Sequence, residues 1–240
     1  MRSSLNLPSL ENVETLSKRI YSSLETAILE GKIKPDDHLV EEELSKMFGI
    51  SRAPIREALR WLDKDGLVRI VPRKGAVVQS ISEKDIQDIY EIRSVMEGLA
   101  ARLFCERASE EELRKIDMIV KNAQMISPSH GHKQTYRRLN REFHDAIILG
   151  SKNEKILETY NHFRKQIAWF QNVTLAFDFR FEVSLKEHKQ LLALFLKRDS
   201  EKAEIQARQH IENAAKILIS EFEKRSNRLG KPLEEKRRTD

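Results

Sequence analysis

Residues 38–75, HLVEEELSKMFGISRAPIREALRWLDKDGLVRIVPRKG, combine two short helical patterns with a glycine between them. The first pattern begins near Val40, and its spacing directs Leu44 and Met47 toward a core. Gly49 ends that helix, because glycine adopts the left-handed backbone conformation that closes many helices at little cost. The stretch therefore predicts a helix that stops at a tight turn.

The turn leads into a second helix with two chemically different faces. Ser51 is a suitable N-cap, and Pro54 falls in the first turn, where its missing N–H group is tolerated. One face is apolar, and the other repeats arginine every four residues, which stacks three guanidinium groups in a row. The apolar positions are Ile55, Ala58, Leu59 and Leu62, and the arginines are Arg52, Arg56 and Arg60. Because a guanidinium donates a rigid fork of hydrogen bonds, the row suits phosphates and guanine edges.

A short β-hairpin follows the second helix. Gly66 turns the chain, residues 67–71 form a β-rich run, and residues 76–78 run back after a turn with Arg73 and Lys74 at its tip. A helix, a glycine turn, a capped arginine helix and a basic hairpin in this order predict a winged helix-turn-helix. The alternative, a solvated amphipathic helix beside an ordinary hairpin, leaves this order unexplained.

The stretch from residue 17 to residue 78 resembles the DNA-binding domain of the GntR superfamily of bacterial transcription regulators. Residues 31–68, GKIKPDDHLVEEELSKMFGISRAPIREALRWLDKDGLV, carry the resemblance. It implies two DNA-contacting arginines, a phosphate-contacting polar residue and a wing-tip glycine, which are here Arg52, Arg56, Ser51 and Gly75. With the other basic positions, the predicted DNA-binding set is Ser51, Arg52, Arg56, Arg60, Arg73, Lys74 and Gly75. Glu42 stands where some members have a further arginine.

Composition and charge indicate a cytoplasmic protein with no membrane partner. The 240 residues allow two modest domains, and 40% are hydrophobic, which is enough for packed cores. There is no apolar run of transmembrane length, and the polar N-terminus is unlike a signal peptide. The single cysteine, Cys105, excludes an intramolecular disulfide and is expected to be a packed core thiol. Residues 224–240 contain seven basic and three acidic residues, so this tail holds most of the net charge of +5.

The sequence after the hairpin shows helical periodicity only. Ser82 and Ser109 are expected N-caps of two helices, and the apolar patterns predict six or seven helices in all. The first helix carries apolar residues at Ile86, Ile89, Ile92, Val95, Met96, Leu99, Ala100 and Leu103. We expect a mainly α protein with a winged helix-turn-helix domain at 1–80, an all-α bundle for effector binding and dimerisation at 81–226, and a basic tail at 227–240.

Three histidines occur at or beside the apolar stripes of three different predicted helices. Asn140 and His144 are four residues apart on one helix face, His188 precedes a leucine pair, and His210 lies between two alanines. Three inward imidazoles and one side-chain oxygen can form a metal site in a bundle core. The alternative is three separate core histidines, and the sequence alone does not show that they converge.

Residues 83–222 resemble the FCD effector domain of the FadR subfamily of these regulators. YEIRSVMEGLAARL matches the opening helix of that domain, and NREFHDAI matches its Asp-x-x-x-His helix, with Asn140 in place of aspartate. The resemblance implies a divalent metal, often zinc or nickel, bound by Asn140, His144, His188 and His210. It also implies a small carboxylate effector beside the metal. The amide oxygen of Asn140 is a poorer ligand than a carboxylate, so a weaker site or a changed metal preference is expected.

Arg93 permits two interpretations. In related domains an arginine at this position faces the ligand cavity and holds a carboxylate through two hydrogen bonds. Alternatively, Arg93 and Glu97, four residues apart, form an ordinary ion pair on the helix surface.

Two functional hypotheses from different classes follow. The first is a DNA-binding transcription regulator, with repression as the usual mode in the family and activation as the other. A homodimer would present two recognition helices to a pseudo-palindromic operator, and a bound carboxylate metabolite would shift operator affinity. The second is a metal-dependent hydrolase or lyase in which the three-histidine site activates water. We do not expect an enzyme, because helical geometry turns Glu142 and Asp145 away from the face that carries His144.

Overall fold

The computed structural model describes residues 15–228 except 73, 81, 127–131 and 175–177. The chain divides into two compact units, Met1–Ser80 and Ile81–Asp240. Within the described residues there are nine helices and one small three-stranded sheet, so the predicted mainly α fold with a winged helix-turn-helix is confirmed. None of the helices in these ranges is long and apolar enough to span a membrane.

The first unit has the element order of a winged helix-turn-helix. Its elements are α1 (Leu16–Leu29), β1 (His38–Leu39), α2 (Glu41–Phe48), α3 (Arg52–Lys64), β2 (Val68–Val71) and β3 (Gly75–Val78). The sheet is antiparallel with strand order β1-β3-β2, and it pairs His38 with Val77 and Val71 with Gly75. The wing is therefore the β2–β3 hairpin, extended on one side by the short β1.

The core of this unit forms where α1 packs on α3. The four apolar positions predicted for α3 are all buried, and α1 contributes Ile20, Leu24 and Ile28. At the edge of the contact the rings of Tyr21 and Trp61 meet edge to face at 5.9 Å, and the Tyr21 hydroxyl lies 2.8 Å from Oδ2 of Asp65. The apolar side of α3 is thereby held inward, which directs its arginine side to the solvent.

Two local expectations for the helix-turn-helix are wrong. Met47 is 77% exposed, because the short α2 buries only Leu44. Ser51 has the extended conformation of an N-cap, but its side chain accepts no capping hydrogen bond. The preferred donor would be the backbone N–H of the third helical residue, and that residue is Pro54, which has none. The Ser51 hydroxyl is consequently exposed rather than engaged in capping.

The second unit is a bundle of six described helices. They are α4 (Glu83–Arg107), α5 (Glu110–Gln124), α6 (Lys133–Gly150), α7 (Glu154–Thr174), α8 (Asp178–Leu196) and α9 (Ser200–Arg228). Ser82 and Ser109 both form capping boxes, with Asp85 and Glu112 respectively.

The long helices α4 and α9 approach each other closely at Gly98. A Cβ atom at this position would lie 2.5 Å from Cγ of Arg208, so a larger side chain would have to displace the Arg208 side chain of α9. Further along α4, Phe104 packs on Phe195 of α8 with ring centroids 4.8 Å apart, and Cys105 is 1% exposed. Burial raises the pKa of the Cys105 thiol to about 11, which keeps it protonated near neutral pH. This packing brings α4, α8 and α9 together around the interior of the bundle.

Gly75 is the position in the wing that a side chain cannot occupy. Its φ of +96° is unfavourable for other residues, and an added Cβ would lie 2.2 Å from the backbone oxygen of Leu39. We expect Gly75→Ala to lower the free energy of unfolding of this unit by about 2–4 kcal/mol, because φ strain and a backbone clash act together. Denaturant titration followed by Trp61 fluorescence, in a Trp169→Phe background, measures this loss.

Gly31→Ala is the matched control for this prediction. Gly31 also has a positive φ, of +74°, but an added Cβ would meet nothing within 4 Å. Its loss should therefore be about 1 kcal/mol, from the backbone conformation alone. Equal losses in the two variants would show that the contact between Gly75 and Leu39 does not constrain the wing.

Candidate metal centre and nucleic-acid interface

The predicted DNA-contacting side chains of α3 lie on its solvent face. Ser51, Arg52, Arg56 and Arg60 are all exposed, opposite the buried apolar stripe. Lys74 of the wing is also exposed, and Gly75 begins β3. Arg73 lies outside the described residues. A shallow concavity is lined by Glu41 and Glu42 of α2, Arg52 and Arg56 of α3, and Lys74 and Gly75 of the wing.

Two of the recognition-face arginines form ion pairs with α2. Arg56 donates from Nε and Nη2 to the two carboxylate oxygens of Glu41, at 3.1 and 2.8 Å, and Arg52 donates from Nη2 to Glu42 at 2.9 Å. Sequence reasoning considered Glu42 only as a replaced arginine and did not consider Glu41. The three consecutive glutamates at the start of α2 were the only sequence signal for these ion pairs. The arginine partners of Glu41 and Glu42 lie on another helix, so spacing along α2 could not identify them.

The second unit brings the three predicted histidines to one point in its interior. Their side chains come from α6, α8 and α9, and each residue is 2–3% exposed. Nε2 of His210 lies 3.3 Å from Nε2 of His188 and 3.4 Å from Nε2 of His144. The imidazole of His188 is stacked on Phe143, with ring centroids 3.9 Å apart. Three imidazole nitrogens therefore converge in a buried cluster.

Buried carboxylates hold the outer nitrogens of two of these imidazoles. Nδ1 of His144 lies 2.6 Å from Glu97 of α4, and Nδ1 of His210 lies 2.7 Å from Glu187 of α8. The other carboxylate oxygen of Glu187 accepts a hydrogen bond from Asn213 at 2.8 Å. A carboxylate at Nδ1 fixes the proton there and leaves the Nε2 lone pair facing inward. Sequence reasoning missed Glu187 and noticed Glu97 only as a partner of Arg93.

Asn140 is near the cluster but contacts it through another side chain. Its Oδ1 accepts a hydrogen bond from the Ser184 hydroxyl at 3.3 Å, and that hydroxyl lies 3.4 Å from Nε2 of His188. Asn140 and Ser184 are 5% and 1% exposed. Ser184 was not predicted, since a serine in an apolar helix has no distinguishing pattern. The two side chains place neutral oxygen atoms beside the imidazoles.

The donor atoms of the cluster fit a divalent metal ion. Imidazole nitrogens that bind a tetrahedral zinc ion at about 2.0–2.1 Å lie about 3.3 Å from one another. Two of the three Nε2 separations, 3.3 and 3.4 Å, match this spacing. The lone pairs of His144 and His210 face the same point, because their Nδ1 protons are directed to carboxylates. A shared cation at that point would offset the repulsion between these lone pairs.

Arg93 pairs with Glu97, but in the interior rather than on a helix surface. Nε of Arg93 donates to Oε1 of Glu97 at 2.5 Å, and the two residues are 2% and 4% exposed. Burial by itself would raise the pKa of Glu97, but the charge of Arg93 and the hydrogen bonds from Arg93 and His144 outweigh it and hold the pKa at about 2. An ionised carboxylate thus links the guanidinium to the histidine cluster.

The carboxylates weighed as candidate catalytic bases are engaged away from the cluster. Asp145 accepts hydrogen bonds from Tyr160 and Arg164, both at 2.9 Å, and Glu142 pairs with Arg138 at 2.6 Å. Glu97 and Glu187 do reach the cluster, but they already hold the outer imidazole nitrogens. Within the described residues the geometry suits binding better than water activation.

Known protein families match both units. The family described as bacterial regulatory proteins, gntR family, matches residues 16–78, and the family described as FCD domain matches residues 88–213. A solved structure of the metal-free FCD domain of TM0439 superposes with a TM-score of 0.52 at 23% identity, covering 60% of this chain and 99% of that one. This last likeness concerns the fold of the second unit.

Curated relatives match across most of the chain. The HTH-type transcriptional regulator YdhC of Bacillus subtilis is 32% identical over 193 residues, which is 80% of this chain and 84% of the relative. The HTH-type transcriptional repressor GlaR of Escherichia coli is 28% identical, over 80% of this chain and 90% of the relative. These families and relatives are transcriptional regulators, so the expectation that the chain is not an enzyme is confirmed. The chain belongs to the GntR family of bacterial regulatory proteins and is a DNA-binding transcriptional regulator with an FCD domain.

Proposed function

We propose that this protein is a metabolite-responsive repressor that binds its operator as a homodimer and senses a small carboxylate beside a divalent metal. The observation that carries the sensing role is the convergence of three buried Nε2 atoms whose partner nitrogens are held by carboxylates. Residues 1–80 would bind DNA, residues 81–226 would dimerise and bind the effector, and residues 227–240 would form a basic tail. The site of action is the bacterial cytoplasm, where operator DNA is found.

The DNA-binding role is assigned to the exposed end of α3 and to the wing. Arg52 and Arg56 would contact base edges or phosphates in the major groove, with Arg60 further along the same face. The Ser51 hydroxyl supports a phosphate contact, since it is exposed and makes no capping bond. Arg73 and Lys74 would contact the backbone from the wing, whose tight turn depends on Gly75.

The first test removes one recognition arginine. Arg56→Ala should weaken operator binding by about 1–3 kcal/mol, or about 5- to 150-fold, because a guanidinium that contacts guanine donates two hydrogen bonds. Arg114→Ala, on the exposed face of α5 in the other unit, makes the same change in charge and should leave affinity within about twofold. The measurement is a mobility shift at fixed salt, on a fragment selected by the wild-type protein from a randomised pool. Wild-type affinity for Arg56→Ala would remove this residue from the interface.

Homodimerisation is supported by an exposed apolar stripe on α4. Ile92, Val95 and Leu99 are 48%, 52% and 39% exposed, and their spacing places them on one face of the helix. They line a groove with Met96 and with Ile156 of α7. A stripe of this kind in a regulator that reads two half-sites suits a two-fold symmetric contact with a second copy.

The dimer prediction is tested with the full-length chain. Val95→Glu should shift the protein from dimer to monomer at micromolar concentration, because the symmetric contact would bury two carboxylates. Met118→Glu, at an apolar residue of α5 that is 62% exposed, is the matched control and should remain dimeric. Sedimentation velocity distinguishes the two species. A dimeric Val95→Glu protein would exclude this stripe as the interface.

The metal centre is proposed to use His144, His188 and His210, with Asn140 at a weaker fourth position. When bound, zinc or nickel would supply a Lewis-acidic position for the effector carboxylate. The chain's own contribution is to orient the three imidazoles and to hold the outer Nδ1 protons on Glu97 and Glu187. Arg93 is proposed as an additional positive charge for the effector, which would have to compete with Glu97 for its guanidinium.

Metal content and metal-induced stabilisation test the centre. His188→Ala and His210→Ala should each lose the bound metal and the rise in melting temperature on addition of zinc or nickel, because two imidazoles cannot hold the ion tightly. Glu187→Gln should weaken metal affinity by about 10- to 100-fold through the orientation of His210. His162→Ala, at an exposed histidine of α7, is the control and should behave as wild type. Unchanged metal content in both buried-histidine variants would identify the three histidines as ordinary core residues.

The regulatory coupling follows from the shared position of effector and metal. If the effector binds the two global states of the dimer with different affinity, its binding shifts their populations and hence operator affinity. The relative GlaR is a transcriptional repressor by name, which supports repression as the default sign. Removal of metal should then abolish the response of operator binding to effector.

A further inference from the structure

The arginines assigned to DNA recognition are already paired with carboxylates of the preceding helix. Glu41 accepts two parallel hydrogen bonds from Arg56, and Glu42 accepts one from Arg52 and lies 3.0 Å from Lys46. All four partners of the two arginine pairs are at least a quarter exposed as side chains, so DNA could reach them. Around Arg52 and Arg56, the recognition surface therefore presents paired charges rather than free positive ones.

The position of the two glutamates favours their ionised form. Both belong to the first turn of α2, where the free backbone N–H groups and the helix dipole stabilise negative charge. The hydrogen bond from Arg56 lowers the pKa of Glu41, and Lys46 together with Arg52 lowers the pKa of Glu42. Both carboxylates are thus negatively charged at the pH at which the protein binds DNA.

A phosphate that contacts Arg52 or Arg56 must compete with a carboxylate. Non-specific DNA binding is driven by neutralisation of phosphates and the release of their counterions, so an arginine that is already neutralised contributes less to it. A base edge, unlike a phosphate, can supply new hydrogen-bond partners for both members of an ion pair. A guanine can take the guanidinium fork through O6 and N7, and a cytosine amino group can donate to a glutamate. The cost of breaking the ion pairs is thus partly offset by base contacts at a matching sequence, and it is not offset at other sequences.

We propose that Glu41 and Glu42 are specificity-determining residues that suppress non-specific DNA binding by competing with phosphates for Arg56 and Arg52. This inference rests on the proposed DNA-contacting role of the two arginines. Neither glutamate needs to contact the operator for this effect. Its basis is the geometry of the two ion pairs across α2 and α3.

The experiment replaces each carboxylate by the isosteric amide in the full-length protein. Glu41→Gln, Glu42→Gln and the double variant keep the size of the side chain and remove its charge. Glu43→Gln is the matched control, because Glu43 belongs to the same helical turn and makes no side-chain hydrogen bond or ion pair among the described residues. It changes net charge equally and should affect affinity by less than about twofold. Circular dichroism and melting temperature confirm that each variant is folded.

Two DNA probes separate the predicted effects. One is a duplex pool of random sequence, and the other is a duplex selected by the wild-type protein from such a pool. Each single variant should bind the random duplex about two- to fivefold tighter, and the double variant about tenfold tighter. Affinity for the selected duplex should change less, so the specificity ratio falls. The salt dependence on random DNA should become steeper by about one to two units of slope, as two arginines become available to phosphates.

The outcomes distinguish this inference from the proposed function. If Glu43→Gln tightens non-specific binding as much as Glu41→Gln, the effect is one of net charge and the inference is overturned. Unchanged or weaker binding of the double variant to random DNA also overturns it. Either result, together with a loss of operator binding in Arg56→Ala, leaves the proposed interface intact. Wild-type operator binding by Arg56→Ala would instead reject the interface itself.

Discussion

The constraint on which the second unit depends is the burial of charge. A guanidinium, two carboxylates and three imidazoles lie in the interior of the bundle, with the network running from Arg93 through Glu97 to His144 and from His210 to Glu187. Buried charges are tolerated only when they are paired and hydrogen-bonded, and removing one partner typically costs about 3–5 kcal/mol. Because the partners come from α4, α6, α8 and α9, the network forms only when all four helices are in place. A ligand at this point would therefore act on the packing of these four helices.

The sequence predicted what local periodicity determines and failed where the determinant is a contact between elements. The apolar stripe of α3 and the caps at Ser82 and Ser109 follow from spacing along one helix, and the structure has them. Each histidine could be assigned to an inward face, but the distances between them depend on how three helices pack. The pairing of Glu41 with Arg56 likewise depends on how two helices pack, so it could not be predicted from spacing along one helix. Ser51 shows a second limit, since it takes the N-cap position but its side chain makes no capping hydrogen bond, and Pro54 removes one of the two possible donors.

Asn140 changes the charge of the proposed metal centre rather than its shape. An aspartate at this position would add a negative charge to the ligand set, whereas the amide and the Ser184 hydroxyl are neutral. The negative charges that remain, on Glu97 and Glu187, lie behind the imidazoles. A neutral inner set binds a metal less tightly, but it leaves more of the ion's positive charge for an anionic effector. In the proposed centre, lower metal affinity and stronger attraction for a carboxylate ligand would thus both follow from the neutral amide of Asn140.

The DNA-binding unit shows that recognition and overall basicity are separate properties. Most of the net positive charge of the chain lies in residues 224–240, while the first turn of α2 contributes three consecutive glutamates beside the arginines of α3. A surface that bound DNA through total charge would not place Glu41 against Arg56. With the charges balanced, binding requires hydrogen-bond partners in the correct positions, and only particular base sequences supply them. The exposed pairs are weak individually, which lets a matching sequence exchange them at small cost. In the proposed competition, specificity in this unit would therefore come from opposed charges on neighbouring helices.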